Sequence, residues 1–323
     1  MAAKPNYKLS QEQIDHFMKH GYLRLPECFS QEKATEWAGD VWTRLGVSPV
    51  DKSTWTTEVT HMGDTKEEPA RTFAPKAWAA ICELLGGEDR VAPNSAAWND
   101  ALIVNLGSPE SEGTWPHPAD LKGWHVDGDF FTHYLDSPEQ GLLVIPLFTD
   151  IQERAGGTMI CPEAMKYAAQ HLYDNPEGVS PYMYPRGQEP AGKQTDTPFY
   201  TDVVKNCSEF HQATGKVGDV ILLHPLMFHS ISVNSLRHPR VITNPPVALK
   251  QPFNFDRDEP SEYSLVEKKT LELLGKDRLP GWKITGKREF VLPERLKDAK
   301  NGWSESEVER LVNITGQPMP MSA

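Results

Sequence analysis

The sequence predicts a mainly β fold with flanking helices, for two reasons. Up to about Trp98, apolar residues recur at helical spacing, whereas beyond it they form short runs bounded by Gly, Pro and Asp. Short strands with long irregular insertions favour a sandwich or jelly roll over parallel βαβ units. No internal repeat or clear linker divides the 323 residues, so we expect a single domain, 1–323.

The N-terminal region, about 7–90, is predicted to be largely helical. Ser10 and Gln13 have the spacing of a capping box, and the apolar residues after them repeat at helical spacing until Gly21. The remaining predicted elements are a short strand at 22–26, a helix from Ser30, a polar irregular stretch at 48–72 and a helix at 75–85.

The predicted core, about 98–250, is followed by a charged C-terminal extension, about 256–323. The candidate strands are 101–106, 123–127, 142–148, 158–161, 217–223 and 241–249. Helices are predicted at 162–172, 261–274 and 304–312, and a long loop at 174–200. Loops of that length commonly form lids or binding loops.

Composition narrows the class of protein. The net charge of -12 argues against a nucleic-acid surface, which needs clustered Lys and Arg. No apolar run approaches the ~20 residues that cross a membrane, and the first residues lack a secretory signal pattern. The four cysteines are far apart, as expected of reduced packing residues. We therefore expect a cytoplasmic protein, without a nucleic-acid or membrane partner.

The segment around His125 and Asp127 carries the first candidate metal ligands. Residues two apart on a strand face the same side of a sheet, so both side chains can reach one ion. Asp129 has the same parity and is a rival ligand, but Gly128 suggests that the strand ends before it. By itself the pattern is weak, since a His and an Asp also commonly cap a strand end.

A second apolar strand leads to two competing histidines, His224 and His229. They lie five residues apart, so on a regular strand they face opposite ways and only one can meet the metal. A bulge at Pro225 would weaken that argument, and the choice stays open on the residues alone. Two His and one carboxylate leave three metal positions open, which suits non-heme Fe(II) oxygenases. The pattern indicates an enzyme.

Arg240 follows a turn that would return it beside the strand of His229. A guanidinium can hold a carboxylate by two parallel hydrogen bonds, which suits one end of a dicarboxylate. The alternative is a surface arginine in a hairpin, and Arg237 is the rival candidate.

In combination and in this order, these motifs resemble the phytanoyl-CoA dioxygenase family of Fe(II)- and 2-oxoglutarate-dependent oxygenases. The resemblance covers about 7–250 and implies a double-stranded β-helix (jelly-roll, cupin-like) core with helices outside. The matching pieces are Leu9-Ser-x-Gln-x-x-x-Phe17 with His20-Gly-Tyr-Leu, Trp124-His-Val-Asp127, Gly156-Gly157, and Gly218-Asp-Val followed by His224-Pro-Leu-x-x-His229, Asn234 and Arg240.

The resemblance implies a ligand set and a reaction. His125, Asp127 and His229 would hold Fe(II), and Arg240 would bind the side carboxylate of 2-oxoglutarate, in preference to His224 and Arg237. With O2, the enzyme would oxidise a small-molecule metabolite and release succinate and CO2. Hydroxylation is the default, with desaturation, epoxidation or rearrangement open. Halogenating relatives carry a small residue at the Asp127 position, which argues against that chemistry here.

Finer features stay open. Lys122 and Asn105 are candidates to contact the C1 carboxylate of 2-oxoglutarate. The alternative interpretation is that Lys122 is a solvated surface lysine and Asn105 a strand-edge asparagine. The family often has Ser where this chain has Ile231, and Ser230 or Ser232 is a possible substitute. The aromatic residues at 130–134 would line a substrate pocket or anchor a loop. Two other functions are possible: a cupin-like metal enzyme that does not use 2-oxoglutarate, and a non-catalytic binding protein. The charged extension could also form a homodimer contact.

Overall fold

The computed structural model describes residues 7–190, 198–291 and 293, and this part combines helices with antiparallel sheets. The prediction of a mainly β chain needs correction, because the described helices contain more residues than the described strands. The strands are two to five residues long and are joined by extended irregular connections. The predicted helix at 304–312 lies outside the described residues.

Eight α-helices are described, most of them in the N-terminal region. Their bounds are α1 Gln11–His20, α2 Gln31–Ala38, α3 Val41–Leu45, α4 Ala70–Phe73, α5 Pro75–Leu85, α6 Met165–Asp174, α7 Pro198–Val204 and α8 Leu265–Leu273. The capping box predicted for α1 is confirmed, with both reciprocal hydrogen bonds between Ser10 and Gln13 present. Gly21 ends that helix in the left-handed region, with φ 70°.

Twelve strands are described, and every described pairing between them is antiparallel. Their bounds are β1 Tyr22–Leu25, β2 Val59–His61, β3 Glu67–Pro69, β4 Ala97–Asn99, β5 Ile103–Asn105, β6 Leu142–Pro146, β7 Thr158–Cys161, β8 His211–Gln212, β9 Val220–Leu223, β10 Phe228–Ile231, β11 Arg240–Ile242 and β12 Pro246–Val247. The sheet orders are β1-β9-β6-β12, β10-β7-β8, β11-β5-β2 and β3-β4.

The first three sheets share one apolar core. Buried side chains from each of them belong to a single cluster, including Ile145 of β6, Ile160 of β7 and Ile242 of β11. A bridge between Leu147 and Ile242 also joins the first sheet to the third. Packing on a common core is the arrangement expected when sheets cover each other's apolar faces.

Several sequence predictions differ from the structure. The expected strand at 123–127 is not formed, and only an isolated bridge at His125 remains. The region 48–72, expected to be irregular, contributes β2 and β3. The run at 241–249 divides into β11 and β12, and α7 begins inside the expected loop at 174–200. Among the described helices, none has the length and apolar character needed to span a membrane.

The beginning of the C-terminal extension is tied to the N-terminal helices. Helix α8 packs against α1, α5 and α6, and its Glu267 is fully buried. That carboxylate accepts hydrogen bonds from Arg90 at 2.6 and 3.0 Å, from Arg257 at 3.2 Å, and from two backbone amides. Burial raises the pKa of Glu267, but the bonds from Arg90 and the amides outweigh it and lower the pKa to about 2.

We expect Glu267→Ala to destabilise the protein by about 3–5 kcal/mol, because it leaves two partly buried guanidinium groups without their carboxylate. Glu272→Ala is the matched control on the same helix. Its side chain is 55% exposed and pairs only with Lys269 in the described contacts, so a loss of no more than about 1 kcal/mol is expected. Chemical denaturation at pH 7 measures both changes.

The same carboxylate predicts an acid-sensitive contribution to stability. Its folded pKa of about 2 lies below the ordinary 4.5, so the contribution is complete above pH 4.5 and declines as the pH falls towards 2. The full contribution is roughly 3 kcal/mol. Glu267→Ala should therefore show a shallower loss of unfolding free energy than wild type over this interval, and parallel curves would contradict the assignment.

Candidate metal centre

His125 and His229 come together through the backbone. The amide of His125 donates to the carbonyl of His229 at 3.0 Å, and the amide of His229 donates to the carbonyl of His125 at 2.9 Å. Residues that exchange both hydrogen bonds are directly opposite, so their side chains project from the same face. The imidazole centroids lie 4.2 Å apart. Trp124 and Val126, which alternate with the candidate ligands, are buried.

Asp127 completes a three-residue cluster. Its Oδ1 lies 3.2 Å from Nε2 of His229 and 3.4 Å from Nε2 of His125. The three candidate ligand atoms all lie within 4.8 Å of one another. The side chain of His229 is 9% exposed and that of His125 is 44% exposed, so the cluster is closed on one side and open on the other.

Backbone carbonyls orient both imidazoles. Nδ1 of His125 lies 2.7 Å from the carbonyl of Gly123, and Nδ1 of His229 lies 3.1 Å from the carbonyl of Met227. A carbonyl only accepts, so each Nδ1 carries a proton. Nε2 is then the nitrogen left to bind a metal, and without one it can donate to Asp127. This is the outer-shell arrangement that fixes the tautomer of metal-binding histidines.

The carboxylate of Asp127 is suited to stay ionised. Burial raises its pKa, but the facing imidazoles of His229 and His125 outweigh burial and leave the pKa below its ordinary range. The sequence predicted these three residues as ligands but gave no prediction of the orienting carbonyls. Their signal is positional, because each carbonyl belongs to the residue two before its histidine.

The rival residues His224 and Asp129 are not part of this cluster. Nε2 of His224 contacts the hydroxyl of Thr270 at 3.0 Å, and its Nδ1 accepts from the amide of Leu226 at 3.1 Å. Burial lowers the pKa of His224 to about 3, so it is a neutral structural histidine. Asp129 is not among the three residues that converge on the cluster.

Among the described side chains that are fully buried, Arg240 is the largest charged one. It is 1% exposed, and its Nε donates to the carbonyl of Gly156 at 2.9 Å. Burial lowers the pKa of Arg240 to about 10. Within residues 7–190, 198–291 and 293, no ion pair joins Arg240 to an acidic side chain. A buried cation without an anion is costly, so this group is suited to an anionic ligand.

Arg237, the rival of Arg240, already has partners. Its Nη1 lies 3.6 Å from Glu112, its Nη2 donates to the carbonyl of Lys52 at 3.1 Å, and its guanidinium lies 5.5 Å from the ring centre of Trp55. Arg237 therefore has an acidic partner, Glu112, whereas Arg240 has none among the described ion pairs.

The two secondary candidates are placed differently from each other. Asn105 is fully buried opposite Arg240 on β5, which is the central strand of its sheet rather than an edge. Its side-chain oxygen accepts from the amide of Gly107 at 2.9 Å. Lys122 is exposed, and its carbonyl accepts from the hydroxyl of Ser230 at 2.8 Å. Asn105 is therefore beside Arg240, whereas the described contacts of Lys122 involve its backbone.

Two other open features are the serines on either side of Ile231 and the aromatic segment at 130–134. Ile231 is 41% exposed, and the hydroxyls of Ser230 and Ser232 donate to backbone carbonyls. The four aromatic residues of the 130–134 segment are buried, which fits anchors of a loop better than an open pocket wall; they are Phe130, Phe131, His133 and Tyr134.

Comparisons with known proteins gave structural neighbours only. No family model and no curated sequence matches the chain. Similar solved structures include the non-heme alpha-ketoglutarate-dependent carbocyclase SnoK from nogalamycin biosynthesis, at 13% identity and TM-score 0.35, over 75% of this chain and 84% of that chain. HygX from Streptomyces hygroscopicus with nickel and 2-oxoglutarate bound is similar at 11% identity and TM-score 0.40, over 76% of this chain and 88% of that chain. EctD from S. alaskensis is similar at 15% identity and TM-score 0.38, over 80% of this chain and 84% of that chain. At these identities and TM-scores, the likenesses carry no argument about this chain.

We expect Asp127→Ala to bind one equivalent of Fe(II) less than wild type, because the cluster loses its only carboxylate. Asp129→Ala, two residues along the same segment, is the matched control and should bind as much as wild type. Anaerobic equilibrium dialysis with iron analysis measures the stoichiometry. Loss of iron by Asp129→Ala with retention by Asp127→Ala would reverse the ligand assignment.

Proposed function

We propose that the chain is a non-heme Fe(II)- and 2-oxoglutarate-dependent oxygenase that oxidises a small-molecule metabolite. The proposal rests on the combination of a three-residue metal-ligand cluster with a buried arginine. Three ligand atoms converge within 4.8 Å, and the same fold buries the guanidinium of Arg240 without an acidic partner among the described residues. The first feature fits a metal with open positions, and the second fits an anionic co-substrate.

The donor set fits iron. His125 and His229 would bind through Nε2 and Asp127 through a carboxylate oxygen, which leaves three positions of an octahedron open. An ion about 2.1 Å from each atom separates neighbouring ligands by about 3 Å. The observed 3.2 and 3.4 Å between the carboxylate and the two rings match that spacing. When bound, iron supplies the coupled oxidation of substrate and 2-oxoglutarate by O2, with release of succinate and CO2.

The protein's own part is to bind, orient and exclude water. Arg240 would pair with the side carboxylate of 2-oxoglutarate, and Gly156 fixes the guanidinium through its carbonyl. Asn105, opposite Arg240, is a candidate neighbour of the co-substrate, and Lys122 remains a weaker one because its side chain is exposed. The substrate would approach from the side of His125, whose imidazole is the more exposed of the two.

The proposal includes the architecture and the reaction type. Three antiparallel sheets on a common core support a double-stranded β-helix within a single domain, 1–323, of the phytanoyl-CoA dioxygenase type. Hydroxylation is the proposed outcome, because the Asp127 carboxylate fills the position that a halide would need. A cytoplasmic location belongs to the same proposal.

Two alternatives are distinguished by particular residues. A cupin-like metal enzyme without 2-oxoglutarate has no need for a buried, acid-free Arg240. A non-catalytic binding protein has no need for a complete ligand set with both imidazoles oriented by carbonyls. Both features therefore favour the oxygenase.

We expect Arg240→Ala to weaken 2-oxoglutarate binding by at least about 30-fold, since a buried hydrogen-bonded charge pair contributes about 2 kcal/mol or more. Anaerobic calorimetry on the Fe(II) protein measures the affinity. Arg237→Ala is the control, because Arg237 is engaged with Glu112 and Trp55. Both variants must first bind Fe(II) like wild type. Equal 2-oxoglutarate affinity in wild type and Arg240→Ala would remove the co-substrate assignment.

The reaction itself is tested by succinate release. Screening metabolite mixtures with the purified protein should reveal 2-oxoglutarate consumption that requires Fe(II) and is abolished by His229→Ala. Substrate oxidation that continues without 2-oxoglutarate would favour the cupin-like alternative.

A further inference from the structure

A second cluster of metal-binding side chains lies apart from the candidate iron site. It consists of His20, at the end of α1, Glu209, two residues before β8, and His211, at the start of β8. All three residues are partly exposed, with side-chain exposures of 19%, 42% and 36% in that order. Their ligand atoms lie within 4.8 Å of one another.

One carboxylate oxygen is shared between two imidazoles. Oε1 of Glu209 lies 2.8 Å from Nδ1 of His20 and 3.0 Å from Nε2 of His211. The two rings are 5.6 Å apart, centre to centre. Burial raises the pKa of Glu209, but hydrogen bonds from His211 and His20 outweigh it, so the pKa is lowered and the carboxylate stays charged.

Neighbouring contacts hold the cluster in place. The amide of Glu209 donates to Glu163 at 3.3 Å, and the hydroxyl of Tyr22 lies 3.4 Å from Nδ1 of His211. A metal-bound imidazole commonly donates its second N–H to such an oxygen. Next to the cluster, a cavity of about 710 Å³ is lined by residues that include His16, Tyr22 and Gln212.

The sheet register relates this cluster to the candidate iron site. Ile160 of β7 is opposite His229 on β10 and opposite His211 on β8. Directly opposite residues share a face, so both histidines are on the same side of the sheet. Two strand spacings place their backbones about 10 Å apart.

We propose that His20, Glu209 and His211 form a second divalent-metal site, selective for a zinc-like ion, that joins helix α1 to the edge strand β8. Two imidazoles and one carboxylate, with a fourth position left to water, are a known ligand set for zinc. Zinc bonds of about 2.0–2.2 Å place tetrahedral ligand atoms about 3.3 Å apart. From 2.8 and 3.0 Å, the carboxylate needs to withdraw by only a few tenths of an ångström.

The ordinary alternative is a carboxylate that simply accepts two imidazole N–H bonds. This alternative predicts that no metal binds at the cluster. The proposed second site does not depend on the proposed oxygenase function.

The stoichiometry of metal binding separates the two sites, because each can be removed alone. The probe is Zn²⁺ in equilibrium dialysis with metal analysis, on the full chain and in the absence of iron.

Wild type should bind two equivalents of Zn²⁺, Asp127→Ala one, and the double variant Asp127→Ala with His211→Ala none. Glu209→Gln in the Asp127→Ala background is a second, conservative removal and should also bind none. His238→Ala, an exposed histidine away from both clusters, is the control and should bind two. Circular dichroism verifies that each variant is folded.

A thermal measurement gives an independent readout. In the Asp127→Ala background, Zn²⁺ should raise the melting temperature, because an ion that binds only the folded state stabilises it. Adding His211→Ala should abolish that rise. Absence of bound Zn²⁺ in Asp127→Ala, or one equivalent retained after His211→Ala is added, would overturn the second site. Loss of the first site alone would leave this result unchanged.

Discussion

The reciprocal backbone hydrogen bonds between His125 and His229 are the interaction on which the candidate centre depends. They join a segment with no regular strand of its own to β10. Because the two residues are directly opposite, both imidazoles share a face and Asp127 can approach both. Carbonyls of Gly123 and Met227 then fix the tautomers. Displacing this bridge by one residue would turn a histidine to the opposite face.

Charge is the second constraint. The fold buries Arg240 and supplies backbone carbonyls but no described acidic partner, whereas Arg237, three residues earlier, is matched with Glu112. Arg90 and Arg257, which are partly buried, both pair with the carboxylate of Glu267. An arginine left unmatched in the core is therefore more consistent with a ligand site than with a structural role.

Local patterns predicted α1, α5, α6 and α8, but not α4 and α7. The capping box located the start of α1, and the short apolar run at 158–161 matches β7. The prediction of a strand at 123–127 failed because Gly123, its first residue, adopts a positive φ of 80° and so interrupts the extended backbone. Strands β2 and β3 were missed because their pairing partners, β5 and β4, are distant in sequence and leave no local signal.

The candidate site was predictable in part for the same physical reasons. Their spacing predicted that His125 and Asp127 share one face. The choice between His224 and His229 depended on the family resemblance. In the structure, His224 is buried against Thr270. Lys122 has the parity of the buried Trp124, yet the turn at Gly123 leaves it exposed. The second cluster escaped notice because His20 and His211 are 191 positions apart and come together only in the folded chain.

We propose that one ion is held by His125, Asp127 and His229 beside a bound 2-oxoglutarate. Anaerobic absorption spectroscopy of the Fe(II)-loaded protein tests it most directly. Addition of 2-oxoglutarate should produce a visible charge-transfer band in wild type and none in Asp127→Ala. A wild-type protein that retains Fe(II) but develops no band at saturating 2-oxoglutarate would contradict the account.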